Sequence, residues 1–264
     1  DNMFQITPSA SAAGVIANDN CFQVCFTDPN QGTASADYIA EKGLATKVAA
    51  IYNSSDAYSS GIYDNFKAEA AAKGLDLVDS EAFTSDSKQD FSSQLSKIKA
   101  SGAELIFLPI YYQEASLILS QAKNAGITAK FFGCDGLDGL LNIENFDKSL
   151  AENVMLLTPF SANATDETTK KFVAAYNAKF DPSTLNQFAA DAYDAVYIVK
   201  AAAEKAGITG DMSVSAICDA LKGAMTEITV DGVTGSGMTW KATGEVNKEP
   251  KAVKIENGEY QPMD

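Results

Sequence analysis

The sequence of 264 residues contains no histidine. Histidine is the commonest general base and the commonest metal ligand in proteins, so its absence argues against much of hydrolytic and metal chemistry. A phosphate-binding loop, a GxSxG nucleophile turn and a GxGxxG dinucleotide turn are also missing. We therefore expect neither an enzyme nor a protein that carries a metal or another cofactor.

Basic residues are few, with 20 Lys and Arg against 35 Asp and Glu and a formal net charge of −15. Without a basic stripe to neutralise phosphates, a nucleic-acid partner is not expected. A run of apolar residues long enough to span a bilayer is also lacking, as is a signal peptide. These absences leave the compartment open at this point.

Cysteine is scarce as well, with only Cys21, Cys25, Cys134 and Cys218. No CxxC spacing occurs, which makes a zinc site or a thioredoxin-like site a poor interpretation. Cys21 and Cys25 lie four positions apart in a predicted strand, roughly 13 Å at the usual rise per residue, which is too far for a disulfide. The sequence therefore predicts buried free thiols.

The most regular segment runs from Glu104 to Gly136. An apolar run over residues 104–108 predicts a buried strand, and small or apolar residues at three- and four-residue steps over 115–125 predict a helix. Gly126 then suits the left-handed position after a helix, and residues 129–132 predict a second strand. This is the pattern of a βαβ unit with two parallel strands.

Polar side chains follow both of these strands. Tyr111 and Tyr112 come after the first strand and Asp135 comes after the second. Parallel strands end at the same edge of a sheet, where α/β folds bind their ligands. A carboxylate beside a phenol at this edge favours a ligand that carries an ammonium group.

Strands and helices alternate from residue 33 to residue 158, and the two flanks differ from this pattern. In the alternating part we predict a helix over 33–41 and a helix capped by Ser85 or Asp86. Beyond it, helices over 166–180, 185–206 and 212–224 have almost no strands between them, and hairpins end the chain around residues 228–241 and at Asn257-Gly258. These features predict two lobes between which the chain crosses more than once, one of them incomplete.

The order of motifs resembles the substrate-binding proteins of branched-chain amino-acid ABC transporters, which are leucine/isoleucine/valine-binding-protein-like members of the type I periplasmic binding protein family. The resemblance covers nearly the whole chain and lies in ITPSASA, CFTDPNQG, IYNSSDAYSSG, DFSSQLSKIKASGAELIFLP, YYQEASLILSQAKNAGI, FFGCDG and AYDAVYIV. It implies an α/β fold of two lobes with mainly parallel sheets, a Venus flytrap. The family begins with roughly a hundred further residues, the size of a small domain, which form most of the first lobe's sheet.

Lobe boundaries follow from this resemblance. Residues 1–30 and 160–249 are expected to form a partial first lobe, and residues 31–159 and 250–264 the second lobe. The crossings fall near TDPNQG, TPFSA and KEPK. Either the chain is a fragment, or the missing part is supplied otherwise.

The resemblance also implies a ligand site. Asp135 takes the position of the acidic residue that holds the ligand's α-ammonium, where glutamate is commoner in the family, and Tyr111 and Tyr58 take those of two ligand-contacting aromatic residues. Ser9, Ala10 and Ser11 match the segment whose amides and hydroxyl bind the α-carboxylate. Phe188 is a further candidate for a wall of the site.

Each of these residues also has a purely structural interpretation. One of Tyr111 and Tyr112 could pack the strand end, Asp135 could cap a turn, and the serines could be loop hydroxyls. Phe188 is balanced between the two interpretations. Asp28 and Gln31 are interpreted as hydrogen-bonding groups at a crossing rather than as ligand contacts.

The function implied is that of an extracytoplasmic solute-binding protein, in the periplasm or as a cell-surface lipoprotein. It would capture a small amino acid between its lobes and deliver it to the membrane permease of an ABC transporter. The alternative is a ligand-sensing ectodomain of a signalling receptor with the same fold, which would continue into a membrane span that this chain does not show. An enzyme with Asp135 as a carboxylate nucleophile is disfavoured because the sequence places no second acid beside it. The bound amino acid stays open.

Overall fold

The computed structural model describes residues 2–263. Its strands are β1 Gln5–Thr7, β2 Cys21–Gln23, β3 Lys47–Asn53, β4 Asp76–Phe83, β5 Leu105–Leu108, β6 Lys130–Gly133, β7 Met155–Thr158, β8 Lys251–Glu256 and β9 Glu259–Pro262. Its α-helices are α1 Asp28–Glu41, α2 Ala57–Ala72, α3 Ser92–Ser101, α4 Tyr112–Asn124, α5 Glu167–Asn177, α6 Gln187–Ala206 and α7 Val214–Met225. Short 3-10 helices cover Ala13–Ile16, Asp135–Leu137, Leu140–Asn142, Lys148–Ala151 and Pro182–Thr184.

The chain forms two compact units. Unit 1 comprises the residues up to Thr27 together with Ala164–Glu249. Unit 2 comprises Asp28–Asn163 together with the residues from Pro250 onward. Each unit has its own sheet.

The sheet of unit 2 has seven strands in the order β4-β3-β5-β6-β7-β8-β9. The pairings from β4 to β7 are parallel, and β8 and β9 join antiparallel at one edge. Central strands bury both faces: Val48 and Ala50 belong to one core cluster, whereas Ala49 and Ile51 belong to the other. Strands buried on both faces read as continuous apolar runs, which is the pattern that predicted them.

The βαβ unit predicted from residues 104–136 is confirmed. β5 pairs with β6 in parallel register, Leu105 opposite Lys130 and Leu108 opposite Gly133, with α4 between them in sequence. Gly126 follows α4 with a φ of +67°, a left-handed conformation that favours glycine. Because both strands run the same way, the segments after Leu108 and Gly133 emerge at one edge.

Unit 1 contains a two-stranded sheet in which β1 and β2 pair in parallel. Its core combines Phe22 and Val24 with Ile198 of α6, Met225 of α7 and Trp240. The strands predicted around residues 228–241 occur only as the isolated bridges Val230–Met238 and Trp240–Val246, because turns interrupt the segment, among them one in which the Gly232 amide donates to Gly235 O at 2.8 Å. The four cysteines are buried thiols that form no disulfide, as predicted.

Two of the predicted helix starts are wrong. α1 begins at Asp28 rather than at residue 33, since an acidic residue followed by proline suits the first helical turn. α3 begins at Ser92 rather than after Ser85 or Asp86. Ser85 instead accepts a hydrogen bond from Asn53 Nδ2 at 3.1 Å, and the Phe91 amide donates to Gln121 Oε1 at 2.7 Å, so tertiary partners replace the expected cap.

Candidate ligand-binding site

Asp135 lies at the predicted place, just after β6 and separated from it by Cys134. It opens the 3-10 turn Asp135–Leu137 and is only 3% exposed. Its backbone amide donates to Gln31 Oε1 at 3.2 Å, and Gln31 of α1 is fully buried. The carboxylate therefore sits on a backbone that is held in place by a second element.

Tyr58 orients the Asp135 side chain. Its hydroxyl donates to Asp135 Oδ1 at 2.7 Å and accepts from the Gly136 amide at 2.8 Å. Tyr58 belongs to the first turn of α2, which is capped by Asp56, whose carboxylate accepts from the Ser59 amide at 3.0 Å. A single phenol thus joins the start of α2 to the turn after β6.

Gly136 makes this contact possible. A Cβ atom at this position would lie 2.6 Å from the Tyr58 hydroxyl oxygen and 2.8 Å from the Ile110 carbonyl oxygen, closer than real Cβ contacts. The last glycine of GCDG is therefore required by close approach.

The two tyrosines after β5 play different parts. Tyr111 is 39% exposed and stacks on Tyr58, with ring centroids 4.7 Å apart and planes inclined by 20°. Tyr112 is half-buried and packs against the apolar core and against Gly139. Of the two tyrosines, Tyr111 is therefore the one that belongs to the cluster with Tyr58 and Asp135.

The electrostatic surroundings of this cluster are negative. Burial, followed by the charge of Asp135, raises the pKa of Tyr58 well above its usual value, so its hydroxyl stays protonated as a donor. Burial also raises the pKa of Tyr111, with further contributions from the carboxylates of Asp56, Asp135 and Asp28. A surplus of carboxylates beside an exposed aromatic ring is an environment that favours a cationic group.

The remaining predicted residues belong to unit 1. Ser9, Ala10 and Ser11 follow β1 in one loop, in which the Ala10 amide donates to Thr7 Oγ1 at 2.9 Å. Ser11 is buried, Ser9 is half-buried and Ala10 is exposed. Phe188 is half-buried in the first turn of α6. The structure therefore groups Tyr58, Tyr111 and Asp135 in unit 2 and the loop residues in unit 1.

The sequence predicts Gln31 as a hydrogen-bonding group at a crossing. In the structure its side chain accepts from the Asp135 amide, and the spacing along α1 carries no signal for a contact with a residue 104 positions away. The role of Gly136 has a signal in the sequence, because a glycine directly after the acidic residue indicates close backbone approach.

Neither a metal-binding cluster nor a membrane-spanning helix occurs in the part of the chain that the structure describes. Between residues 2 and 263, no three or more acidic, cysteine or histidine side chains come together in a way that could hold a metal ion. None of the helices in the same range combines the length and apolar character needed to cross a membrane.

Comparison with known proteins places the chain among binding proteins. The family described as "Periplasmic binding protein" matches residues 1–259. Leu/Ile/Val-binding protein homolog 3 of Brucella melitensis is 30% identical over 253 residues, which are 94% of this chain and 64% of that protein. The leucine-, isoleucine-, valine-, threonine- and alanine-binding protein of Pseudomonas aeruginosa is 30% identical over 78% of this chain and 55% of its own length.

Solved structures show the same fold. A leucine-binding protein of Thermotoga maritima superposes with a TM-score of 0.86 at 25% identity, covering 100% of this chain and 73% of that one. The branched-chain amino-acid substrate-binding protein of Streptococcus pneumoniae, solved with isoleucine, gives a TM-score of 0.82 at 29% identity over 98% of this chain and 71% of its own.

The chain spans just under two thirds of the Brucella relative, 64% of its length. Within that span the similarity includes both units and the α/β type I fold that the sequence predicted. The family consists of binding proteins rather than enzymes. The match from residue 1 to residue 259 shows that this chain belongs to the periplasmic binding protein family.

Proposed function

We propose that this chain is part of an extracytoplasmic solute-binding protein that captures a small amino acid and delivers it to the permease of an ABC transporter. The observation that carries the proposal is the Tyr58–Asp135–Tyr111 cluster. It combines an oriented carboxylate, a fixed phenol and an exposed aromatic ring in one place.

Asp135 is the proposed partner of the ligand's α-ammonium. A carboxylate offers about four acceptor positions on its two oxygens, so the bond from Tyr58 orients it without exhausting its capacity. An ammonium bound there forms charge-assisted hydrogen bonds, the strong class in proteins. The Tyr111 ring, 39% exposed, adds an aromatic face for the ammonium or for the apolar side chain beside it.

The loop Ser9–Ser11 is the proposed partner of the α-carboxylate. A carboxylate that loses water needs donors in fixed positions, and backbone amides together with a serine hydroxyl provide them. Thr7 Oγ1 already holds the Ala10 amide at 2.9 Å, which shapes the loop. Phe188 is the proposed contributor to an apolar wall.

A branched-chain amino acid is the first ligand to test, because the relatives are named as leucine-, isoleucine- and valine-binding proteins. Aspartate at position 135 is one methylene shorter than the glutamate commoner in the family. The ligand would therefore sit deeper, or a water would bridge it to the carboxylate.

A thermal-shift screen of the twenty amino acids on the intact protein tests the proposal, followed by calorimetry on those that bind. A ligand at a hundredfold its dissociation constant stabilises the folded state by about 2.7 kcal/mol. We expect the largest shift from leucine, isoleucine or valine. Failure of all twenty amino acids to shift the melting temperature would contradict the proposal.

Two analogues of leucine serve as matched controls. Isoamylamine keeps the ammonium and lacks the carboxylate, whereas 4-methylpentanoic acid keeps the carboxylate and lacks the ammonium. If leucine binds, both should bind far more weakly, because each leaves one set of charged or donor groups unpaired. Equal binding of either analogue would show that one of the two proposed contacts is absent.

A further inference from the structure

Helix α1 buries a side that carries polar residues. Asp28, Gln31 and Ser35 follow one another at steps of three and four, so they lie on one side of the helix. Their exposed fractions are 1%, 0% and 0%. The buried side of a helix is normally apolar, and fully buried polar side chains are uncommon. We call Asp28, Gln31 and Ser35 the polar side of α1.

The polar side of α1 meets the turn that carries Asp135. Gln31 Oε1 accepts from the Asp135 amide at 3.2 Å. Ser35 Oγ lies 3.5 Å from the Sγ atom of Cys134, the residue before it. Two successive residues of the turn are therefore contacted from the same side of one helix.

α1 is itself packed on α2. Ala36 and Ile39 of α1 belong to the same core cluster as Ile62 and Phe66 of α2. α2 also carries Tyr58, whose hydroxyl donates to the Asp135 carboxylate. The backbone and the side chain of Asp135 are thus each bonded by one of two helices that pack on each other. Sites carried by packed helices are held more precisely than sites on loops.

Only one half of the Gln31 carboxamide is used. Oε1 has the Asp135 amide as its donor, whereas Nε2 has no hydrogen-bond partner within residues 2–263. A buried donor left unpaired costs at least as much free energy as one neutral hydrogen bond contributes. The Gln31 carboxamide therefore adds little net stability to the folded chain.

Packing alone does not explain a glutamine at position 31. Methionine matches glutamine in length and fills buried gaps without a donor to satisfy. Exchanging the two would leave the Asp135 amide unpaired in place of Gln31 Nε2, so they are nearly equivalent for the free energy of folding. They differ in the bond from α1 to the backbone of Asp135. Local costs of this kind are typical of functional sites.

We propose that Gln31 is a positioning residue for ligand binding. It fixes the backbone of Asp135, and with it the direction of the carboxylate, before an ammonium group arrives. A carboxylate fixed in advance loses less freedom on binding, which raises the affinity. The inference rests on the proposed function for the group that Asp135 binds, whereas the effect of Gln31 on the turn can be measured without a ligand.

Gln31→Met is the test variant and Gln121→Met is its matched control. Gln121 Oε1 also accepts from a backbone amide, that of Phe91 at 2.7 Å, but its Nε2 is paired with Gln89 O at 2.9 Å. We expect Gln121→Met to lower the melting temperature and Gln31→Met to leave it close to that of the parent. A larger fall for Gln31→Met, or its failure to fold, would show that Gln31 acts on stability and overturn the proposal.

Hydrogen exchange of the Gly136 amide reports the turn in the ligand-free protein. This amide donates to the Tyr58 hydroxyl and not to Gln31, so the substitution does not remove its acceptor. We expect it to exchange about tenfold faster in Gln31→Met, the equivalent of one hydrogen bond lost from the turn. In Gln121→Met it should exchange at close to the parent rate. A parent rate in Gln31→Met would overturn the proposal.

A double-mutant cycle tests the effect on binding. With the amino acid found by the screen, calorimetry should show about fivefold weaker binding for Gln31→Met and less than a twofold change for Gln121→Met. In the Asp135→Ala background, Gln31→Met should have no further effect, because no carboxylate is left to direct. The same fold loss in both backgrounds would show that Gln31 does not act through Asp135 and overturn the proposal.

The two kinds of measurement also separate this inference from the proposed function. A parent protein that binds none of the twenty amino acids contradicts the proposed function. The exchange rate of the Gly136 amide then still decides whether Gln31 positions the turn.

Discussion

At the scale of single residues, the arrangement around Asp135 depends on side chains with one task each. Tyr58 orients the carboxylate, Gln31 holds its amide, and Gly136 leaves room for the Tyr58 hydroxyl. A carboxylate restrained in this way loses little freedom when it takes a partner, which is how preorganised sites gain affinity.

The first prediction concerns Asp135. Asp135→Ala would leave the ligand's ammonium buried without its charged partner, at a cost of about 3–5 kcal/mol in binding free energy on the scale for broken buried pairs. Isothermal calorimetry with the amino acid found by the screen measures this. Binding within about a factor of three of the parent, less than 1 kcal/mol, would show the assignment to be wrong, and Asp138, also buried, is then the next carboxylate to substitute.

A second prediction concerns the Tyr58 hydroxyl. Tyr58→Phe removes the donor to Asp135 and the acceptor for the Gly136 amide. We therefore expect the binding free energy to weaken by about 1.5–3 kcal/mol, the range for a hydrogen bond to a charged group. The matched control is Tyr111→Phe, which keeps the stacked ring and should cost only about 0.5–1.5 kcal/mol in binding. Calorimetry and thermal melts of both variants test the order, and a larger loss for Tyr111→Phe would contradict it.

At the scale of elements, Glu104 links the starts of neighbouring strands. Its Oε2 accepts from the Thr46 amide at 2.7 Å, from Thr46 Oγ1 at 3.1 Å and from the Lys47 amide at 3.2 Å, at the beginning of β3. These hydrogen bonds, the one from the Thr46 amide first, lower the pKa of the Glu104 carboxyl below its usual value. The ionised form is therefore favoured by folding.

The third prediction follows from this direction of shift. A carboxyl group whose pKa is lowered by folding stabilises the folded state at pH values above its pKa in the unfolded state, about 4.3. This stabilisation is lost as the pH falls through the pKa of the folded state. Glu104→Gln should therefore lower the urea midpoint relative to the parent near pH 7, and the difference should shrink below about pH 4. Glu144→Gln, at an exposed position, is the control. A difference that grows on acidification would contradict the assignment.

The buried ion pair between Lys248 and Asp191 of α6 is a second example at this scale. Lys248 Nζ lies 3.5 Å from Asp191 Oδ1 and donates to Thr234 Oγ1 at 2.5 Å, with Lys248 and Asp191 both about 1% exposed at the side chain. Asp194, one turn along α6, accepts from the Val233 and Thr234 amides at 2.8 Å each. Together these bonds attach the loop after Val230 to the helix.

The fourth prediction concerns Lys248. Lys248→Met removes one partner of a buried ion pair, and we expect a loss of about 3–5 kcal/mol in the free energy of unfolding. Lys248→Met combined with Asp191→Asn should cost less than the sum of the two single changes, because the charge is no longer left unpaired. Denaturant titrations of the set measure this. Strict additivity would mean that the pair does not interact.

At the scale of the whole molecule, the formal net charge of −15 acts on every element at once. Like charges repel in the compact state, and salt screens them. The Debye length falls from about 30 Å at 0.01 M salt to about 8 Å at 0.15 M.

The fifth prediction is that the melting temperature rises with sodium chloride over this range near pH 7. Near pH 4.4, the isoelectric point calculated from the sequence, the rise should be much smaller because the net charge is close to zero. Scanning calorimetry at the two pH values tests this. A melting temperature that falls with salt near pH 7 would show that attractive ion pairs outweigh the repulsion.

The sequence by itself determined the features that depend on neighbours along the chain. Apolar runs specified the central strands of unit 2, and Gly126 marked the end of α4, because the signature of a strand buried on both faces and that of a helix end both lie in adjacent residues. Asp135 and Tyr111 were placed at one sheet edge by the direction of parallel strands. The Asn257-Gly258 turn between β8 and β9 was also readable, and both residues have positive φ, 54° and 77°.

Only the tertiary structure decided which distant groups meet. The Phe91 amide takes Gln121 instead of a local cap, and Gln31 bonds the Asp135 amide from 104 positions away. Tyr112 turns to the core while Tyr111 stacks on Tyr58, a choice between adjacent, identical side chains. These choices depend on the free energy of packing and hydrogen bonding between elements, which local sequence does not encode because the partners lie far apart along the chain.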